Sequence, residues 1–272
     1  MKKLNVLLIL ALVLVFAASC TTMTSNTKVS PTINKITKRG VLIVGTAANM
    51  PPLNMQTKTH VPMGLDIDIA RFIASAMGVE LSLHIEPFAE LLPALEAGEV
   101  DMVISGLTIT PERNKKVAFV GPYHVSGKSF LSKFESIASV EDPAELNAPK
   151  WRFAALKNST SAELVKTVMP RATLVETKDY QTAVKMVLDD QVDALVSDYH
   201  ACVVALLQHP DAGLVSVITP FTYEPLGIAL PPGDSHLINW MDNFLNTMVA
   251  SEQMDKLKLK WIEDDSWLDK LP

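Results

Sequence analysis

Several residues of this chain have the chemistry to bind a small charged molecule, and they lie in short polar segments. Arg113 occurs in the segment TPER, and a guanidinium presents a planar fork of donors that matches a carboxylate. Asp198 ends the apolar segment VDALVSD, where a carboxylate could bind an ammonium group. Ser159 and Thr160 stand at an expected helix start, which favours anions. Together these residue types could hold the two ends of a zwitterion.

Several candidate binding residues, including Thr108 in the segment SGLTIT, also have an ordinary structural explanation. Asp198 could cap the helix that follows it, Arg113 could form a surface ion pair, and Thr108 could belong to a turn. A binding site requires that the surrounding elements bring all of them to one place.

An internal repeat predicts how those elements are arranged. Residues 96–105 read EAGEVDMVIS and residues 188–197 read LDDQVDALVS. The two segments align at an offset of 92 residues, which places Asp101 on Asp193. In both copies an apolar helix face precedes an apolar strand, so each copy is expected to contain a βαβ unit.

The same offset extends towards the N-terminus. It places Phe88 on Tyr180, and a strand candidate precedes each helix, at residues 81–86 in the first copy and 173–177 in the second. The repeat therefore predicts two similar lobes.

Each half also opens with a strand, a polar turn and a helix. The strands are expected at residues 41–45 and 151–156, and the helices at 66–77 and 161–168. Ligands of open α/β sheets bind beyond the carboxyl ends of the strands. Four turns follow strands here and are expected to converge on one cleft: residues 47–50, 105–108, 158–160 and 197–198.

The first 20 residues have the features of an export signal. Two lysines precede an apolar run at residues 6–18, which is shorter than the about 20 residues of a membrane-spanning helix. The following AASC resembles the processing box of bacterial lipoproteins, so we expect removal of residues 1–19 and acylation of Cys20. Ala17 stands where that box usually has a larger aliphatic residue, which leaves ordinary signal peptidase cleavage open.

The composition of the chain after the signal indicates its flexibility, its possible partners and its disulfide content. Residues 20–37 are expected to form a flexible tether, since their Thr, Ser and Asn side chains bury too little apolar surface to offset the entropy of ordering. The net charge of -6 leaves no basic excess for nucleic acid. Cys20 and Cys202 are the two cysteines, so an acylated Cys20 would leave no intramolecular disulfide. We expect a soluble body of two lobes with their own cores.

From about residue 39 to residue 261 the sequence resembles the family 3 extracellular solute-binding proteins, which are polar amino-acid receptors of ABC importers. The segments that carry the resemblance occur in the family's order: RGVLIVGTAANMPPL, MGLDIDIARFIASAMGV, LLPALEAGEVDMVISGLTITPERNKKVAFVGPY, LKNSTSAEL, VDALVSD and YEPLGIAL. The resemblance implies an α/β fold of the type II periplasmic-binding-protein kind, with two lobes joined by two crossing strands. We expect a lipid-anchored monomer outside the cytoplasmic membrane that needs no cofactor and delivers a free α-amino acid to an ABC transporter permease.

The resemblance also implies where the chain changes lobes. The crossings are expected near residues 125–134 and 219–227. Lobe 1 would then comprise residues 38–128 and 224–272, with the C-terminal helices packed on it, and lobe 2 would comprise residues 129–223.

A role for each candidate binding residue follows from the same resemblance. Arg113 would bind the ligand carboxylate, on a backbone held by Thr110 as the cap of a short helix. Asp198 would bind the ammonium group. The remaining contacts would come from the polar turns and from two side chains that cover the ligand: Gly106, Thr108, Ser159, Thr160, Met50 and Phe88.

The expected side-chain pocket departs from the family's usual composition. Ala47 stands where many relatives have Asp, and Met50 stands where they have an aromatic residue. A cationic side chain would therefore be desolvated without a partner, whereas Met50 and Phe88 suit an uncharged side chain of moderate size. A purely structural role for Phe88 in the core is the alternative. Lys128 and Lys157 leave an acidic ligand open, so we rank uncharged ligands first, acidic second and cationic last.

Two alternative functions share the resemblance. Periplasmic cyclohexadienyl and arogenate dehydratases use a carboxylic acid that is expected after the second-lobe turn, where this chain has Ala162, followed by Glu163. A ligand-sensing subunit of a signalling system is the other alternative. The histidines form no metal-binding pattern, and the sequence leaves open whether His124, Tyr199 or His200 line the cleft.

Overall fold

Two five-stranded sheets organise the chain, and each is the centre of one α/β lobe. The structure is a computed structural model that describes residues 30–217 and 219–272. The signal expected at residues 1–19 and the acylation site expected at Cys20 lie outside the described residues.

The helices and strands are numbered in chain order. The helices are α1 (Pro31–Arg39), α2 (Leu65–Met77), α3 (Leu91–Glu96), α4 (Pro111–Asn114), α5 (Glu135–Ala138), α6 (Thr160–Val168), α7 (Tyr180–Leu188), α8 (Tyr199–Gln208), α9 (Ser235–Ala250) and α10 (Gln253–Lys258). The strands are β1 (Val41–Thr46), β2 (Met55–Gln56), β3 (Pro62–Met63), β4 (Glu80–Ile85), β5 (Met102–Val103), β6 (Ala118–Ser126), β7 (Lys128–Ser132), β8 (Arg152–Leu156), β9 (Thr173–Thr177), β10 (Ala194–Asp198), β11 (Val215–Ser216) and β12 (Glu224–Leu230).

The two sheets have the same strand arrangement. The first has the order β4-β1-β5-β12-β6, and the second, read from its other edge, has the order β9-β8-β10-β7-β11. In each sheet the first three strands are parallel and the last two antiparallel to their neighbours. The repeat at an offset of 92 residues is thus a repeat of topology.

The repeated aspartates fasten equivalent strands. The amide of Asp101 donates to the carbonyl of Ile43 at 2.9 Å, and the Asp101 carboxylate accepts from the Ile43 amide, also at 2.9 Å. Asp193 makes the same pair of bonds with Arg152, at 2.8 and 2.7 Å. Each carboxylate also binds an arginine side chain, Arg39 in the first lobe and Arg152 in the second. The most obvious repeated acidic residues are therefore structural.

Asp101→Ala is expected to lower the free energy of unfolding by about 2–3 kcal/mol, because the partly buried Ile43 amide and the Arg39 guanidinium both lose a charged acceptor. Chemical denaturation followed by circular dichroism measures the change. Asp255→Ala removes an exposed carboxylate of α10 and is the matched control, with an expected change of less than about 0.5 kcal/mol. A loss no larger than that of the control would contradict the structural role of Asp101.

The chain passes between the sheets twice, at adjacent places. It leaves the first sheet after β6 and enters the second at Lys128, which begins β7, so Lys128 belongs to the second sheet and not to the segment expected for lobe 1. It returns into β12, which pairs with β6 as far as Ser126 and Glu224. A Cβ atom at Gly127 would lie 2.4 Å from the carbonyl oxygen of Thr222, so the two crossing segments touch.

The tether expected over residues 20–37 ends sooner than predicted. Ser30 caps α1 by accepting from the amide of Ile33, Pro31 takes the first helical position, and Ile36 is fully buried. The Ser30 hydroxyl also donates to Asp234 at 2.8 Å. A partner 204 residues away therefore stabilises a helix that the polar composition of the segment did not predict.

The C-terminal helices pack on the first lobe. Helix α9 packs against β6, and α10 lies against α2. In the second lobe, Phe130 and Phe153 are fully buried, with ring centroids 5.5 Å apart. Within residues 30–217 and 219–272, no helix combines the length and the apolar character needed to cross a membrane.

Candidate ligand-binding site

One cavity between the lobes is lined by all eight residues that the sequence predicted for ligand binding. They are Met50, Phe88, Gly106, Thr108, Arg113, Ser159, Thr160 and Asp198. The cavity volume is about 20 Å³, which is room for little more than one water molecule. The structure thus brings the predicted residues together in a closed cleft.

The first-lobe wall is a tight loop after β5. Gly106 has a φ of +58°, a left-handed conformation that favours glycine. A Cβ atom there would lie 2.4 Å from Cε of Met50, so a larger residue would also displace the Met50 side chain. Asp66, buried at the start of α2, accepts from the Gly106 amide at 2.8 Å. Burial raises the pKa of Asp66 to about 6, although the Tyr123 hydroxyl, the Asn54 amide and the Gly106 amide oppose that rise.

Arg113 projects into the cavity from α4, whose backbone is fixed as predicted: Thr110 accepts from the Arg113 amide at 3.2 Å. Nη1 of Arg113 donates to the Thr108 carbonyl at 2.9 Å, and Nη2 donates to the Asn158 carbonyl of the other lobe at 3.0 Å. The guanidinium carbon lies 5.7 Å from the centre of the Phe88 ring. Burial lowers the pKa of Arg113 to about 10, so the group remains charged at neutral pH.

The second-lobe wall is the turn before α6. Asn158 has a φ of +59°, a left-handed conformation that Asn adopts more easily than most residues. Ser159 caps α6 by accepting from the Ala162 amide at 3.1 Å, and its hydroxyl donates to the Leu156 carbonyl at 2.6 Å. Thr160 donates to Glu224 at 2.9 Å. The Ser159 hydroxyl thus has both a donor and an acceptor partner within the turn and α6.

Three charged side chains, Arg113, Lys128 and Asp198, line the cavity, and the Glu224 carboxylate lies directly behind its wall. Asp198 makes no cap bond to α8, so the interpretation of Asp198 as a helix cap is wrong. Its Oδ1 atom lies 3.1 Å from Nζ of Lys128, and Nζ is 3.5 Å from Oε2 of Glu224. With Arg113, these residues give two cations and two carboxylates. The site is balanced in charge.

Glu224 joins both walls to the crossing segment. Its Oε2 atom accepts from Thr108 at 2.8 Å and from Thr160 at 2.9 Å, and its Oε1 atom accepts from Thr222 at 2.8 Å. Burial alone would raise the pKa of Glu224, but the Lys128 ammonium and the three hydroxyl donors lower it below its ordinary value. Glu224 is thus an anion that binds one hydroxyl from each lobe.

The lobes are in direct contact around the cavity. Besides the bonds of Arg113 and Glu224, Nε2 of Gln181 donates to the Asn49 carbonyl across the cleft at 3.2 Å. An amino acid cannot fit until these contacts separate. Binding therefore requires an opened conformation.

Sequence reasoning missed Glu224 and Tyr180, and left Lys128 open. Tyr180 lines the cavity as the repeat partner of Phe88, and its hydroxyl donates to the Ala201 carbonyl. The 92-residue offset could have found Tyr180, because Phe88 was already a candidate. Glu224 shows as a lone carboxylate at the start of the apolar segment PLGIAL.

The other residues that the sequence left open as possible cleft residues do not line this cavity. Lys157 is exposed. His124 and His200 pack against each other beside the crossing, with ring centroids 5.1 Å apart, and Tyr199 lies against His200. Burial, and secondarily His200 and Lys258, lower the pKa of His124 to about 4, so His124 is neutral at pH 7.

Residues 42–264 match the family of bacterial extracellular solute-binding proteins, family 3. The chain belongs to this family. Two curated relatives are similar over most of their length. The ABC transporter glutamine-binding protein GlnH of Bacillus subtilis is 32% identical over 206 residues, which cover 74% of this chain and 73% of the relative. The glutamine-binding protein of Geobacillus stearothermophilus is 33% identical over 202 residues, covering 72% and 75%.

Solved structures of the family have the same fold. An ancestral amino-acid-binding protein, a precursor of cyclohexadienyl dehydratase, superposes with a TM-score of 0.77 at 35% identity, covering 85% of this chain and 99% of that one. A putative ABC-transporter binding component from Wolinella succinogenes, complexed with lysine, superposes with a TM-score of 0.80 at 34% identity, covering 85% and 100%. The predicted type II periplasmic-binding-protein fold is confirmed.

Proposed function

We propose that this chain is an extracytoplasmic receptor that captures a free α-amino acid between its lobes and delivers it to an ABC transporter. The observation that carries the proposal is the opposition of Arg113 and Asp198 across one closed cavity, with one residue in each lobe. A guanidinium and a carboxylate suit the two charged ends of an amino acid. Both curated relatives named above are amino-acid-binding proteins, which supports the same ligand class.

In this proposal the ligand replaces contacts that the protein now makes with itself. The ligand carboxylate takes the Arg113 donors from the carbonyls of Thr108 and Asn158, and the ammonium group meets Asp198. The Gly106 loop and the Thr108 and Thr160 hydroxyls complete the polar shell, beside Ser159 at the start of α6.

The side-chain pocket favours an uncharged ligand. Met50 and Phe88 provide an adaptable thioether and a ring, and Ala47 is packed in the apolar cluster that contains Phe88. The methyl group of Ala47 offers no charge to compensate a buried cationic side chain. Uncharged ligands therefore rank first, acidic second and cationic last.

The same chain is proposed to have no enzymatic activity. Ala162, at the position expected for a dehydratase acid, has a buried methyl group that cannot donate a proton. Glu163 is exposed and does not line the cavity. The lowered pKa of Glu224 makes this carboxylate a poor general acid at neutral pH.

A ligand-binding screen tests the receptor proposal, and incubation with prephenate or arogenate tests the proposal that the chain is not an enzyme. The purified mature chain is screened by thermal shift against the proteinogenic and D-amino acids, and hits are measured by calorimetry. Saturable binding of an amino acid is expected, with leucine, methionine or glutamine ahead of glutamate and arginine. Failure to bind any amino acid would contradict the receptor proposal. Conversion of prephenate or arogenate above background would contradict the non-enzymatic one.

We further propose that Cys20 carries the lipid that holds a monomeric receptor at the membrane. The apolar run, the AASC box and the polar residues after it support this anchor. Mass spectrometry of the mature N-terminus is expected to find acylated Cys20, and Cys20→Ala is expected to release the protein from the membrane fraction. An unmodified N-terminus at another residue would contradict the anchor and leave the binding proposal intact.

A further inference from the structure

Lys128 is the most deeply buried cation at the cavity. Its side chain is 2% exposed, yet it ends in an ammonium group that binds Asp198 and lies close to Glu224. Among residues 30–217 and 219–272, these are its two ion-pair partners. Lysine is rarely buried this completely without such partners.

The fold keeps the ammonium group in place. Lys128 and Asp198 are directly paired in the antiparallel ladder of β7 and β10. The Lys128 amide donates to Thr222 at 3.0 Å, and its carbonyl accepts from the Phe221 amide at 2.9 Å. The backbone is thus tied both to the second sheet and to the returning crossing segment. With its backbone fixed on two sides and its ammonium group bonded to Asp198, the side chain is held in the interior.

The pairing leaves part of Asp198 available. Lys128 binds Oδ1, whereas Oδ2 accepts no hydrogen bond from any residue in the described ranges. A ligand ammonium can therefore use Oδ2 while Lys128 keeps Oδ1. Lys128 and the ammonium group of a zwitterionic ligand can therefore bind Asp198 at the same time.

We infer that Lys128 is a specificity-determining residue: it is an internal cation that stands between two carboxylates and excludes ligands with a cationic side chain. The inference rests on the proposed function. Without Lys128, Arg113 would face Asp198 and Glu224 alone, and the cavity would hold one excess negative charge. Such a cavity suits a ligand of net charge +1. With Lys128, the cavity is neutral and suits a zwitterion, because a second buried cation would find no free counter-charge.

Lys128→Met tests this inference, because methionine is unbranched, of similar length and uncharged. Calorimetry at pH 7 compares glutamine, glutamate, lysine and arginine on the full mature chain and on the variant. In the variant we expect lysine and arginine to bind at least about 10-fold more tightly than to the original chain, with arginine ahead of glutamate. Lys157→Met is the matched control, since Lys157 is exposed, and it should keep the original order.

The outcomes separate this inference from the proposed function. An original chain that binds no amino acid contradicts the receptor proposal, and the inference falls with it. A variant that keeps the original ranking overturns the role of Lys128 and leaves the receptor proposal intact. An original chain that prefers arginine or lysine overturns both the role of Lys128 and the proposed ligand ranking, and still leaves the receptor proposal intact. Lys128→Gln, which retains a polar side chain, is measured in parallel, with circular dichroism to check folding. If both variants fail to fold, Lys128 is a structural charge and the inference is wrong.

Discussion

Arg113→Ala is expected to weaken amino-acid binding by about 10-fold to more than 100-fold, the loss associated with charged hydrogen bonds worth about 1.5–3 kcal/mol each. The guanidinium is held in a buried wall by the α4 backbone and the Phe88 ring, so its donors are fixed in place before a ligand arrives. In Arg113→Ala the ligand carboxylate would still be removed from water, but it would no longer accept hydrogen bonds from the guanidinium.

Calorimetry with the tightest ligand of the screen measures this loss. Arg113→Lys keeps the charge but not the planar fork, and is expected to lie between the original chain and Arg113→Ala. Arg71→Ala removes an exposed arginine of α2 and is the matched control, with unchanged affinity. Unchanged affinity in Arg113→Ala would contradict the proposal that Arg113 binds the ligand carboxylate.

Asp198→Asn is expected to lower affinity by about 10-fold to 100-fold and also to destabilise the fold. The substitution preserves shape but removes the negative charge that faces the ligand ammonium. It also leaves Lys128 buried, with the more distant Glu224 as its remaining carboxylate partner in the described residues. Removing one partner of a buried ion pair costs about 3 kcal/mol.

A double variant separates the two effects. Asp198→Asn combined with Lys128→Met removes the unpaired cation, so the free energy of unfolding should recover much of the loss. Affinity for an uncharged amino acid should stay low, because the ammonium partner is still missing. Denaturant unfolding and calorimetry measure the two quantities. Recovery of affinity in the double variant would show that Asp198 acts by holding Lys128 and not by binding the ligand.

The strands and the location of the cleft could be predicted because local patterns encode them. Strand β9 begins and ends as expected, and β1, β4 and β8 differ from the expected bounds by a single residue at one or both ends. The place of the cleft, beyond the carboxyl ends of β1, β5, β8 and β10, then followed from the rule for open α/β sheets. Thr110 is a further example, since helix capping depends on residue type and near neighbours.

The features that could not be predicted depend on partners distant in the sequence. Lys128 and Asp198 are 70 residues apart, and Thr108 and Glu224 are 116 apart. The sequence shows a lysine near a glycine and a glutamate before a proline, and neither pattern indicates burial. Helix α1 was missed for the same reason, because Ser30 and Asp234 meet only after both ends of the chain fold onto lobe 1.

The contacts that close the cleft also limit how fast a bound ligand can dissociate. In the liganded state the ligand takes over the Arg113 donors, so the lobes are bridged by the bond from Gln181 to Asn49 and by the ligand's own bonds to both lobes. A captured molecule leaves no faster than these bridges break together. Every ligand then shares one ceiling on its dissociation rate, set by lobe opening, a domain motion of about microseconds to milliseconds. Ligands that contact both lobes dissociate more slowly than that ceiling and so stay bound for longer. A transporter that draws the lobes apart would shorten the residence time without weakening any single bond to the ligand.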